Sequence, residues 1–157
     1  MEPSFERLLV ALVEGNVRFI IVGGLAVSLN GYVRLTEDVD FVVDAQEDNV
    51  RNLIETLRSF GEGFGGALTL EDFPMEPGAI RVIEPTADCQ MDIFTLIGGY
   101  SYEDLIEAAE STTIAKVPFR YASRQQIIDI KSSSVREKDR LDIAAMKRLM
   151  EDPGAFD

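Results

Sequence analysis

Val22-Gly23-Gly24-Leu25-Ala26-Val27, then Gly31, Arg34 and Thr36, then Asp38-Val39-Asp40-Phe41-Val42-Val43: the rest of the chain is organised around this run. Upstream of it, Val17-Arg18-Phe19-Ile20-Ile21-Val22 reads as a buried strand that Gly23-Gly24 breaks. Leu25 to Leu29 is a short helical stretch, ended by Asn30-Gly31, a pair that tolerates left-handed backbone angles. A second strand begins at Asp38. A glycine pair between a strand and a helix is a place where backbone N–H groups and the positive helix end can hold a phosphate, although such a pair is more often a plain tight turn.

The aspartates ask for an explanation. Aspartate is disfavoured in strands, and burying an unpaired carboxylate costs several kcal/mol, comparable with the net stability of a small domain. Asp38 and Asp40 are two residues apart, so on a strand both side chains leave the same face, with Cα atoms about 6.6 Å apart. Asp92 interrupts another apolar run, Gln90-Met91-Asp92-Ile93-Phe94, and in a neighbouring position it closes the same cradle. Three converging carboxylates suit Mg²⁺, or Mn²⁺ in its place, working on a phosphoryl group. The plainer reading puts Asp38 in a turn, Asp40 on an exposed strand position and Asp92 in an ion pair. The glycine turn and its spacing favour the cradle.

Outward from this centre, Phe5, Leu8, Leu9, Leu12 and Val13 recur at helical spacing and Gly15-Asn16 stops them. Asp44 and Glu47 have the spacing of a capping box before a helix with the apolar stripe Val50, Leu53, Ile54 and Leu57. Gly61 to Gly66 is a loop, either a lid or a connector. Ile80 to Ile83 and Gln90 to Phe94 suit a hairpin. A helix over Tyr102 to Ala109, a β segment from Thr113 to Val117 closed by Pro118, and helices over Arg124 to Ser132 and Arg136 to Met150 complete an α/β chain, expected to be a single domain over residues 1–157. On the last helix the arc filled by Leu141, Ala145, Leu149, Met146, Met150 and Ile143 also contains Lys138, Asp139 and Asp142. These charges either line a nucleotide pocket or, for Lys138 and Asp142, form an ordinary i,i+4 surface pair. Arg34 reads as a partner for a phosphate or an acidic residue, and Thr36 beside it joins the nucleotide-binding candidates.

Composition narrows the chemistry. The chain has no histidine, which removes histidine triads and histidine–zinc sites. The lone Cys89 reads as a packing residue. A net charge of −13 disfavours broad nucleic-acid binding, yet Lys131, Arg136, Lys138, Arg140, Lys147 and Arg148 face only Glu137, Asp139 and Asp142, leaving that stretch at +3. There is no apolar run of membrane-spanning length and the first residues are acidic, so a cytoplasmic protein away from membranes is expected.

The run from Val22 to Val43 resembles the signature of minimal nucleotidyltransferases of the DNA-polymerase-β-like superfamily, in which a Gly-Gly or Gly-Ser turn precedes an Asp-x-Asp. Ile127-Ile128-Asp129-Ile130-Lys131 and Arg136 to Asp142 resemble the closing motifs of the branch containing nucleotidyltransferase toxins of abortive-infection systems. The resemblance implies a small mixed β-sheet flanked by helices, with C-terminal helices. It implies transfer of a nucleoside monophosphate from a nucleoside triphosphate to a hydroxyl of RNA such as tRNA, of a protein or of a small molecule, within a toxin–antitoxin or phage-defence setting. Gly23 and Gly24 would hold phosphates, Asp38 and Asp40 would ligate metal, Asp92 would activate the acceptor hydroxyl, and Lys131 would contact the triphosphate. The chain departs from many members in having Gly24 where they carry serine. A non-catalytic, nucleotide-binding or antitoxin-like module that docks a protein partner is the rival reading, and homo-oligomerisation stays open.

Overall fold

The computed structural model describes Met1 to Asp157. Helix α1 (Pro3–Glu14) buries Phe5, Leu8, Leu9 and Leu12 and ends at Gly15. β1 (Phe19–Val22) is buried along its length, and α2 (Gly23–Leu29) starts directly on the glycine pair. β2 (Val39–Val43) follows, with Asp38 immediately before it. α3 (Glu47–Arg58) buries Val50, Leu53, Ile54 and Leu57, the stripe expected from its spacing. β3 (Ile80–Glu84) and β4 (Cys89–Phe94) form the expected antiparallel hairpin. β5 (Leu96–Ile97) and β6 (Tyr100–Ser101) make a separate two-stranded sheet. α4 (Tyr102–Leu105), β7 (Glu110–Ile114), β8 (Val117–Tyr121), α5 (Arg124–Lys131) and α6 (Glu137–Glu151) complete the chain.

The main sheet runs β3-β4-β2-β1-β8-β7 and is mixed: β2 is parallel to β4 and β1 to β8, while the other neighbours are antiparallel. This is the α/β architecture the sequence implies. Its register positions the chemistry. Asp40 lies opposite Val22 on one side and Asp92 on the other, and Asp92 lies opposite Arg81. Register partners share a face, so one row across β2, β4 and β3 carries Asp40, Asp92 and Arg81. The end of α2 is tied down by Asn30, whose Nδ2 donates to the carbonyls of Ala26 and Ala122, both at 2.8 Å.

Several local expectations are corrected. The helix expected over Tyr102 to Ala109 stops at Leu105. The single β segment expected from Thr113 to Val117 is a hairpin, β7 and β8, turning on Ala115 and Lys116, which both have positive φ (52° and 67°) as a type I′ turn requires. Neither residue advertises such a turn, and Pro118 sits inside β8 rather than closing a strand. Asp44 does not cap α3: the N-cap is Gln46, and the Asp44 carboxylate accepts from the Gln46 N–H and from Arg18 Nε at 2.8 Å. Gly61 to Gly66 is a packed connector. The buried Glu84 carboxylate accepts from the N–H groups of Glu62 and Phe64 at 2.8 and 2.7 Å, and Gly65 and Gly66 press against α3 so closely that a Cβ would meet Leu57 and Arg58 inside 3.0 Å.

Candidate active site

Asp38, Asp40 and Asp92 converge, each offering a carboxylate oxygen within 4.8 Å of the others. Asp40 and Asp92 do so because β2 and β4 are in parallel register, and Asp38 because it enters β2 from the same end. Asp40 Oδ1 is buried and has no hydrogen-bond partner. Burial, followed by the charges of Asp92 and Asp38, pushes the Asp40 carboxyl up to about 6. Burial and the Asp92 charge also raise Asp38. Like charges held this close, one with an orphaned oxygen, call for a cation. The donor set is all oxygen, which suits a hard divalent ion such as Mg²⁺ or Mn²⁺.

Glycine makes the approach to Asp40 possible. Gly23 has φ +66°, and a Cβ there would lie 2.2 Å from Asp40 Oδ2. Gly24 explains the departure from serine. A Cβ on it would lie 2.9 Å from Thr36 Oγ1 and 3.1 Å from Arg34 Nη1, so these side chains occupy the space where a serine would begin. Gly24, Arg34, Thr36, Asp38, Asp40 and Lys138 line one cavity of about 230 Å³.

The α5–α6 end contributes a buried ion network. Asp142, fully buried, accepts from Arg34 Nε and Nη2, both at 2.9 Å, and lies 3.3 Å from Lys131 Nζ. Asp139, equally buried, accepts from Lys131 Nζ at 2.8 Å, Ser134 Oγ at 2.6 Å and Arg136 Nε at 2.9 Å. Burial opposes ionisation of Asp139, but these donors outweigh it and hold its carboxyl down at about 2. The Lys138–Asp142 surface pair does not form. Lys138 is exposed, and the partners of Asp142 come from other elements. The buried face of α6 is Asp139, Asp142, Ala145, Met146 and Leu149, and the expected apolar arc is corrected: Leu141 and Met150 are 55% and 50% exposed. Arg34 and Lys131 thus meet aspartates, while Lys138 reaches the cavity.

Reasoning from residue types missed Arg81. Its guanidinium chelates Asp92 and lies 3.6 Å from Asp38 Oδ2. A signal was present: counting back along the hairpin from Glu84 opposite Cys89 places Arg81 opposite Asp92. Cys89 is buried, as expected, and desolvation pushes its thiol up to about 11.

No helix is long and apolar enough to cross a membrane. Among curated proteins, none matches the chain. Several solved structures share its fold. A lincosamide antibiotic adenylyltransferase, LnuA, with lincomycin bound is 18% identical, with a TM-score of 0.62 over 94% of this chain and 96% of that one. The aminoglycoside-complexed ANT(2")-Ia, crystallised with adenylyl-2"-tobramycin, is 15% identical, with a TM-score of 0.55 over 93% of this chain and 87% of that one. An antigenic nucleotidyltransferase-like protein from Paracoccidioides brasiliensis is 21% identical, with a TM-score of 0.51 over 93% of this chain and 75% of that one. Residues 6–152, nearly the whole chain, match the family described as "Nucleotidyltransferase of unknown function (DUF6036)", and to that nucleotidyltransferase family this chain belongs.

Proposed function

We propose that the chain transfers a nucleoside monophosphate group from a nucleoside triphosphate to a hydroxyl and releases pyrophosphate. One observation carries this reading: the carboxylates of Asp38, Asp40 and Asp92 lie within 4.8 Å of one another while Asp40 Oδ1 is buried without a hydrogen bond. Asp38, Asp40 and Asp92 would hold Mg²⁺ or Mn²⁺, which when bound would neutralise phosphate oxygens and polarise the phosphorus under attack. The bare backbone of Gly23 and Gly24 admits the triphosphate beside Arg34 and Thr36, and Lys138 supplies positive charge from the same cavity. Asp92 takes the proton of the acceptor hydroxyl, and Arg81 fixes its orientation by holding both its oxygens. Catalysis of this kind is mostly positioning and charge neutralisation.

The acceptor is a hydroxyl of RNA, protein or a small molecule. The toxin-like closing motifs support a toxin–antitoxin or phage-defence role and put tRNA first in the test. Labelled triphosphates, Mg²⁺ and host tRNA or lysate are expected to yield a labelled acceptor with the natural chain and none with Asp40→Asn. Equal labelling by both overturns the reading. The Arg81–Asp92 pair favours one rival, a nucleotide-binding module without turnover, and calorimetry with ATP, GTP, CTP and UTP separates the two: tight binding with no labelled acceptor identifies the rival.

A further inference from the structure

We infer that Lys138, rather than Lys131, is the lysine that meets the phosphates of the nucleotide, and that Lys131 is a positioning residue locked into the joint between α5 and α6. This rests on the nucleotide-binding reading above. The closing motif points to Lys131, but its side chain is only 12% exposed and its ammonium lies 2.8 Å from Asp139 and 3.3 Å from Asp142. Those carboxylates are 1% and 0% exposed, and Lys131 is the cation they share. Drawing it out to a phosphate would remove counter-charge from two buried anions at once, a strongly unfavourable exchange.

Lys138 stands in the opposite situation. It is exposed, makes no ion pair, and lines the cavity that holds Asp38 and Asp40. It sits in the first turn of α6, where the helix dipole repels a cation, so the helix itself gains nothing from a lysine there. An exposed, unpaired ammonium lining a carboxylate cavity is matched to an anion that arrives with a divalent ion. Arg34 contributes from the same wall: Asp142 holds its Nε and Nη2 and so fixes where the guanidinium stands.

The experiment is calorimetric binding of non-hydrolysable triphosphate analogues of the four bases, each with Mg²⁺, alongside melting temperatures. Lys138→Ala is expected to weaken triphosphate binding about tenfold or more, the loss of one charge-assisted contact, while monophosphate binding and melting temperature stay near those of the natural chain. Lys138→Arg is expected to restore most of the affinity. Lys131→Met is expected to melt earlier and, while folded, to bind triphosphate within about threefold of the natural chain. Should Lys131→Met not fold, that supports its structural role and the Lys138 variants decide the rest. Unchanged binding by Lys138→Ala overturns the inference, as does a Lys131→Met chain that keeps its melting temperature and loses affinity. If the natural chain binds none of the analogues, the proposed function itself falls and takes this inference with it.

Discussion

Arg81 holds both oxygens of Asp92, with Nε 2.9 Å from Oδ1 and Nη2 3.0 Å from Oδ2 across the β3–β4 hairpin. The third carboxylate of the cluster therefore carries its own counter-ion, and the same guanidinium lies 3.6 Å from Asp38. Arg81→Met is expected to lower the melting temperature in chelator, because three carboxylates then face one another without it. Mn²⁺ should raise the melting temperature of the variant more than that of the natural chain, since a divalent ion replaces the missing charge. Scanning calorimetry with and without Mn²⁺ checks this, and equal metal-induced shifts would show that Arg81 takes no part in balancing the cluster.

Gly23→Ala should be damaging in two ways. The added Cβ would need to clear Asp40 Oδ2 from 2.2 Å, and the backbone stands at φ +66°. A loss of about 1 to 3 kcal/mol is expected from the strained backbone, measured by urea unfolding, together with loss of acceptor labelling. Gly24→Ser should not improve nucleotide binding, because the new side chain would displace Thr36 and Arg34; tighter binding would show that these side chains yield easily.

Asp142→Asn removes the carboxylate shared by Arg34 and Lys131. With two cations left short of counter-charge in a buried joint, a loss of about 3 kcal/mol is expected in urea unfolding. A change within experimental error would mean that water reaches the joint and screens it.

The two titrating aspartates have opposite signs. Asp40 in the folded chain holds its proton up to about 6, against about 3.9 for an unfolded aspartate. Between those values the folded state binds a proton the unfolded state has released, so stability from this group falls as pH rises, by about 3 kcal/mol in all. Metal-free Asp40→Asn should therefore be more stable than the natural chain at pH 7, with the gap closing near pH 4. Asp139, held at about 2, contributes stability above pH 4 that disappears as pH falls towards 2. Asp139→Asn should be the less stable protein at pH 5, with the gap closing at the acid end. Unfolding curves at each pH decide both, and Mn²⁺ binding should weaken below pH 6 as it competes with the Asp40 proton.

Much of the molecule was legible in its residues, for reasons that are local. Gly23-Gly24, the stripe of α3 and the Asp38/Asp40 spacing are each properties of a few consecutive positions, and each appears in the fold as read. Where several residues had to be ranked, apolarity misled. Leu141 and Met150 stand exposed because α6 turns its two aspartates inward to cations supplied by α5 and by the segment before β2. Ala115-Lys116 hid a hairpin turn because neither residue favours the positive φ it adopts.

Most of the strands and helices, and the residue types able to do phosphoryl chemistry, follow from periodicity and turn propensity, which act within one element. The long-range partners come from the closed fold. Arg34 meets Asp142 across 108 residues, and Asp40 meets Asp92 through parallel register. The physical reason is that a buried charge is stabilised by whatever the closed fold brings against it, and no spacing along the chain records that distance.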